Sequence, residues 1–223
     1  MKPFYSILIL LVFNLSFTQP INFETIKDNV TDKNSSYYYD QLISEFLNNT
    51  SAFHNEKVKS YYLYYGKLYS SYYTKFLEGK NNYLKFMKQI AAKKYTKAVI
   101  LGEELLKNDP VNLTVILNLI ICYNENNENE ERLKLLKNQA EILMRAIADY
   151  GDGKNKETAF KVISLSDEFA LLNYLGINLE MYSRNFEKLN STTILDIWTK
   201  EQKYQKDKRN KIYIEVFTEP SVK

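Results

Sequence analysis

One cysteine, Cys122, and one histidine, His54, stand in a chain of 223 residues, and that scarcity removes whole classes of chemistry. A lone cysteine permits no intramolecular disulfide, and a closed zinc site built from Cys and His cannot be assembled. A thiol–imidazole pair would need Cys122, in the apolar run Leu117 to Tyr123, to meet His54, in the polar stretch Asn48 to Glu56. Cys122 therefore reads as a small buried hydrophobe. Excess charge is also lacking: 30 Lys and Arg against 27 Asp and Glu leave a net +3, with lysines and glutamates intermixed. Nucleic acid is thus not an expected partner. Beyond the N-terminus no stretch approaches the roughly 18 apolar residues that a membrane-spanning helix needs.

The N-terminus is organised differently. Lys2 supplies a short positive region, Phe4 to Phe17 a short hydrophobic stretch, and Ser16 and Thr18 small residues before Gln19. This is the pattern of a secretory signal peptide over residues 1–18, with an uncleaved anchor as the alternative. It predicts export to a periplasm or the extracellular space, with no membrane span left after cleavage. No cysteine stands near the cut, so no lipid attachment site is present.

Residues 19–150 read as helical hairpins. Tyr95 and Ala98, three apart, followed by Pro110 about a dozen residues on, have the spacing of a tetratricopeptide-like unit, in which a small residue lets two helices lie close and proline ends the second. Asp109 is expected in the turn before that proline, with Asn112 capping the next helix. Val99, Leu101, Leu105 and Leu106, then Val115, Ile116, Leu119, Ile120 and Tyr123, keep helical period. Gly102 departs from the pattern, which prefers a larger residue there. Upstream, Pro20 to Asp32 is an extended or short helical lead-in, Tyr37 to Leu47 a helix and Asn48 to Glu56 a loop. Glu130 to Tyr150 is a long helix stopped by Gly151-Asp152-Gly153.

Val58 to Glu78 holds seven tyrosines: Tyr61, Tyr62, Tyr64, Tyr65, Tyr69, Tyr72 and Tyr73. Tyr61, Tyr65, Leu68, Tyr69, Tyr72 and Phe76 fall at helical intervals and suit a core-facing stripe. A stripe of about 100° takes three or four positions per two turns, so some rings are left over. Tyr62, Tyr64 and Tyr73 lie off the line and are expected to form an exposed binding edge, because phenols suit half-wet contact surfaces.

Residues 151–223 change character and read as an α+β region packed on the helices. Phe160 to Leu165 is a short β-branched run, a strand or a continued helix. Phe169 to Phe186 reads as helix, and Thr192 to Thr199 and Ile212 to Thr218 alternate as strands. The fold class is accordingly mainly α, with tetratricopeptide-like hairpins and a small C-terminal β-sheet. Asp152, Asp167 and Glu168 cluster in sequence, and two carboxyl groups held several ångströms apart can do acid/base work on a glycoside. The plainer reading makes Asp152 a turn residue and places Asp167 and Glu168 at the positive end of a helix.

The segments Leu63-Tyr64-Tyr65-Gly66, Gly151 to Phe160 and Ser166-Asp167-Glu168-Phe169 resemble those of an exported bacterial family, the domain of unknown function 4919 family, with Phe169 where a tyrosine is expected. The resemblance covers most of the chain after the signal. It implies secretion and a helical core, and it transfers no catalytic residue.

The sequence thus favours a non-enzymatic interaction module that binds a cell-envelope protein or glycan, with no cofactor and no metal implied. The alternative is a carboxylate-dependent hydrolase acting on envelope carbohydrate or peptide through Asp152, Asp167 and Glu168.

Overall fold

The computed structural model describes residues 21–48, 50–73, 80–204 and 210–217. The signal-peptide pattern, Phe76 and the end of the last expected strand at Thr218 lie outside the described residues.

Asn22 caps α1 (Phe23–Thr31) by accepting from the Thr25 N–H, and a polar turn leads to α2 (Tyr39–Asn48). The stretch expected as a loop contains a further short helix, α3 (Ser51–Asn55), because Phe53 drops into the core and stacks edge-on against Phe46 at 6.0 Å. Next comes α4 (Lys57–Gly66), which passes at once into a 3-10 turn, Lys67–Tyr69. That break ends the helical phase on which the tyrosine stripe was drawn, so Tyr69, Tyr72 and Tyr73 do not continue the line of Tyr61 and Tyr65.

Four helices then follow in succession, α5 (Lys80–Ala91), α6 (Tyr95–Asn108), α7 (Leu113–Asn126) and α8 (Glu130–Ala148), each of the last three packed on the one before. The turn between α6 and α7 is the one the sequence spells out. Asp109 ends α6 before Pro110, and the Asn112 side chain accepts from the Val115 N–H at 3.0 Å. Gly102 is where the expected pattern fails and its reason appears. A Cβ there would stand 2.6 Å from Leu119 Cδ2 and 2.8 Å from Phe86 Cε2, so glycine lets α5, α6 and α7 close on one another. A larger residue has no room.

Beyond α8 the chain forms β1 (Phe160–Val162), α9 (Leu165–Tyr174), β2 (Tyr182–Lys188), β3 (Thr193–Lys200) and β4 (Lys211–Phe217). The four strands lie in the order β1-β4-β3-β2; β1 runs parallel to β4 and the other pairs are antiparallel. The expected helix over Phe169 to Phe186 is corrected. Gly176, at φ +69, takes the left-handed conformation that ends α9, and the chain re-emerges as β2. Of the run Phe160 to Leu165, only the first half is strand, and Leu165 opens α9.

A single cluster of buried apolar side chains runs from Ile26 on α1 through Leu119 and Leu136 to Val216 on β4, so helices and sheet share one core. Cys122 is buried in it. Among the described residues no helix is long and apolar enough to cross a membrane.

Candidate functional site

A groove of about 500 Å³ opens where α7, α8 and the end of α9 meet. Leu117, Ile120 and Ile121 line it from α7, Lys137, Ala140 and Glu141 from α8, and Asn173 and Tyr174 from α9. On both long helices these positions are i, i+3 and i+4, one face each. The helix α7 is apolar on more sides than the core uses. Val115, Ile116, Leu119 and Cys122 are buried, yet Ile121 remains 47% exposed. Opposite it, the small side chain of Ala140 leaves the depth of the groove open, with Lys137, Glu141 and Asn173 as its polar members. The volume falls in the range of ordinary ligand and side-chain pockets, and the lining suits apolar groups. Sequence reasoning missed this site. The one signal available was the surplus of apolar residues on α7; that Tyr174 would come to lie beside them is a tertiary fact.

The binding edge expected from tyrosines is corrected in its exposure. Tyr62 and Tyr64 are buried, and Tyr73 is half-buried. The helix α4 is central, enclosed by α1, α2, α3 and α8, so it buries far more than one stripe. Two of its phenols, Tyr64 and Tyr65, bond inside. Tyr64 Oη donates to Asp167 Oδ2 at 3.0 Å and accepts from the Ile163 N–H at 3.3 Å, while Tyr65 Oη donates to the Lys161 carbonyl at 3.0 Å. Tyr62 stacks on Tyr37 with ring centroids 4.2 Å apart, and Tyr61 stacks on Tyr150 at 4.6 Å.

The three candidate carboxylates enter three separate networks. Asp152 lies in the loop after α8, where Thr158 Oγ1 donates to it at 2.6 Å and Lys154 Nζ lies at 2.6 Å. Partial burial acts to raise its pKa, and these donors outweigh burial and hold it down to about 2. Asp167 and Glu168 lie in the first turn of α9 as expected, but it is Ser164 that caps the helix, accepting from the Asp167 N–H at 3.1 Å. Instead the Asp167 carboxyl is buried against Tyr64, and burial pushes its pKa up against the opposing pull of Lys67 and Tyr64.

Glu168 is fully buried beneath β2 and β3. Trp198 Nε1 donates to its Oε1 at 2.6 Å, and Arg184 reaches both Glu168 Oε2 at 3.3 Å and Asp196 Oδ2 at 2.6 Å. Burial first, then the charge of Asp196 and a hydrogen bond to it, push Glu168 up to about 7 despite Trp198 and Arg184. Asp196 Oδ1 is buried with no hydrogen-bond partner. The Arg184 guanidinium, 5.8 Å from the Trp198 ring centroid and 5.9 Å from that of Phe169, closes the pair off from solvent. Trp198 and Arg184 thus engage both Glu168 oxygens and one oxygen of Asp196, and only the buried Asp196 Oδ1 is left without a partner. A second buried pair, Lys67 Nζ to Asp109 Oδ2 at 2.6 Å, ties the end of α4 to the α6–α7 turn. Among the described residues no three His, Cys, Asp or Glu side chains come together as a metal-binding group.

The chain belongs to the family described as Domain of unknown function (DUF4919), whose model matches residues 24–212. No curated protein and no solved structure matches it.

Proposed function

We propose that this DUF4919 chain is an exported, non-enzymatic interaction module, and that the groove between α7, α8 and the end of α9 is where it holds a protein partner of the cell envelope. The observation that carries the reading is the groove itself, apolar in lining and built on two long helices, with Ile121 left exposed beside it. Apolar anchors from a partner would gain what this surface lacks, since burying exposed Leu and Ile side chains is the main favourable term in association. A protein segment is favoured over a glycan because the lining is mostly Leu, Ile, Ala and Tyr side chains with few polar groups to engage sugar hydroxyls. Export rests on the N-terminal pattern from Lys2 to Thr18. The α5–α8 hairpins are read as a tetratricopeptide-like array, the kind of scaffold that presents extended binding surfaces. Against a hydrolase stands the engagement of Asp152, Asp167 and Glu168 with internal partners.

The test uses Ile121→Glu, which changes an exposed position and should leave the thermal midpoint unchanged. A protein that copurifies with the wild type from envelope extract is identified, produced separately and titrated against both forms. Binding should weaken at least about tenfold in the variant, or about 1.4 kcal/mol. Equal affinity for both forms would remove the groove from the interface.

A further inference from the structure

The sheet has two edges. One is β1, three residues long and buried; the other is β2, which is exposed along nearly its whole length. An open edge strand is a template for pairing, and sheets commonly guard it with brevity, proline, a bulge, charged side chains or a covering element. Among the described residues β2 relies on charge alone, through Arg184, Glu187 and Lys188. It is seven residues long, contains no proline, and keeps unbroken register from Tyr182 opposite Lys200 to Lys188 opposite Ile194. Arg184, the charge nearest its middle, is turned inward onto Asp196.

The hydrogen bonds at the ends of β2 fix which backbone groups face outward. The Glu201 N–H donates to the Met181 carbonyl at 2.9 Å, and the Leu189 N–H to the Thr193 carbonyl at 3.0 Å. In an antiparallel ladder such pairs recur at every second residue, so Ser183, Asn185 and Glu187 bond to β3. The N–H and C=O groups of Tyr182, Arg184, Phe186 and Lys188 therefore point away from the sheet, beside a Phe186 side chain that is 69% exposed.

We propose that two copies of this chain join β2 to β2, antiparallel about a twofold axis at Asn185, to make one continuous sheet. The occupant is argued from charge. Outward groups meet outward groups in only a few antiparallel registers that overlap most of the strand. Centring on Arg184 sets arginine against arginine, and centring on Phe186 sets Arg184 against Lys188; like charges directly opposite are destabilising. Centring on Asn185 sets Arg184 against Phe186, Tyr182 against Lys188 and Ser183 against Glu187. That register places the exposed Phe186 ring against Arg184 and the half-buried Tyr182 ring against Lys188, and opposes no like charges. A self-complementary patch is what a twofold interface requires. This pairing is independent of the groove, which lies on the helices.

Sedimentation velocity on the purified protein, from low micromolar to near-millimolar concentration, tests the pairing with two substitutions at the exposed ring. Wild type should pass from one copy to two as concentration rises. F186K sets a lysine against Arg184 of the other copy and should stay monomeric over the same range, while F186E sets a carboxylate there and should still dimerise. Hydrogen exchange should slow with concentration at the amides of Arg184 and Phe186 and be unchanged at Ser183 and Asn185. Wild type that is monomeric throughout, F186K that dimerises as readily as wild type, or F186E that behaves as F186K would overturn the proposal.

Discussion

Tyr64 and Glu168 show how far a residue's type can mislead about its place. Both are polar-tipped residues that the chain buries completely, and both are tolerated because every exposed lone pair and proton finds a partner. Tyr64→Phe removes the donor to Asp167 and the acceptor for the Ile163 N–H, so unfolding in urea should show a loss of about 1 to 3 kcal/mol. A change under about half a kcal/mol, typical of a surface site, would mean the ring is not held as described. For Glu168 the sign follows from its pKa, raised from an ordinary 4.5 to about 7. Between those values the folded state holds more protons than the unfolded chain, so stability is greatest below about 4.5 and is lost as pH rises toward 7. Glu168→Gln keeps an acceptor for Trp198 and stays neutral at every pH. It should flatten that slope and be more stable than wild type at pH 8 by on the order of 1 to 3 kcal/mol, with little difference at pH 5. Parallel stability curves for the two proteins would contradict the raised pKa of the buried Glu168 carboxyl. The burial of Tyr62 and Tyr64 was not legible in the sequence, because a helix enclosed on several sides obeys no single-stripe rule.

At the scale of elements, legibility followed local chemistry. The α6–α7 hairpin could be read because Tyr95, Ala98, Pro110 and Asn112 each act within a few residues, through packing, ring closure or capping. β4 could be read because one buried face alternates with the other, and β3 through its β-branched run, although it buries Leu195 on one face and Asp196 and Trp198 on the other. β2 could not: an exposed edge strand has no buried face to impose alternation, and Tyr182 and Phe186 fell by chance into the phase of the preceding helix. Gly102 offers a sharp test of helix packing against helix propensity. Propensity alone would favour alanine there by about 1 kcal/mol. The close approach of Leu119 and Phe86, both fully buried, predicts instead that Gly102→Ala lowers stability by about 1 to 2 kcal/mol. A stabilised variant would show that α5, α6 and α7 lie farther apart. On the same helices, Leu119→Ala should cost about 2 to 5 kcal/mol by calorimetry or denaturant, since its side chain is wholly enclosed.

For the molecule as a whole, the carboxylates and phenols that the sequence offers as functional groups are spent on joining the sheet to the helices. Tyr64 to Asp167 links α4 to α9, Lys67 to Asp109 links α4 to the hairpins, and Glu168, Arg184 and Asp196 link α9 to β2 and β3. What remains open is the groove, whose parts lie far apart in sequence at Ile121, Ala140 and Tyr174 and meet only in the folded chain. The proposal that this groove is the partner-binding surface is tested most directly by photo-cross-linking in envelope extract, with a photoreactive side chain placed at position 121 and, as the control, at position 100. Ile100 is the more exposed of the two, at 66% against 47%, and lies outside the groove. The account predicts a discrete adduct from position 121 and none from position 100; equal adducts from both positions, or an adduct from position 100 alone, would contradict it.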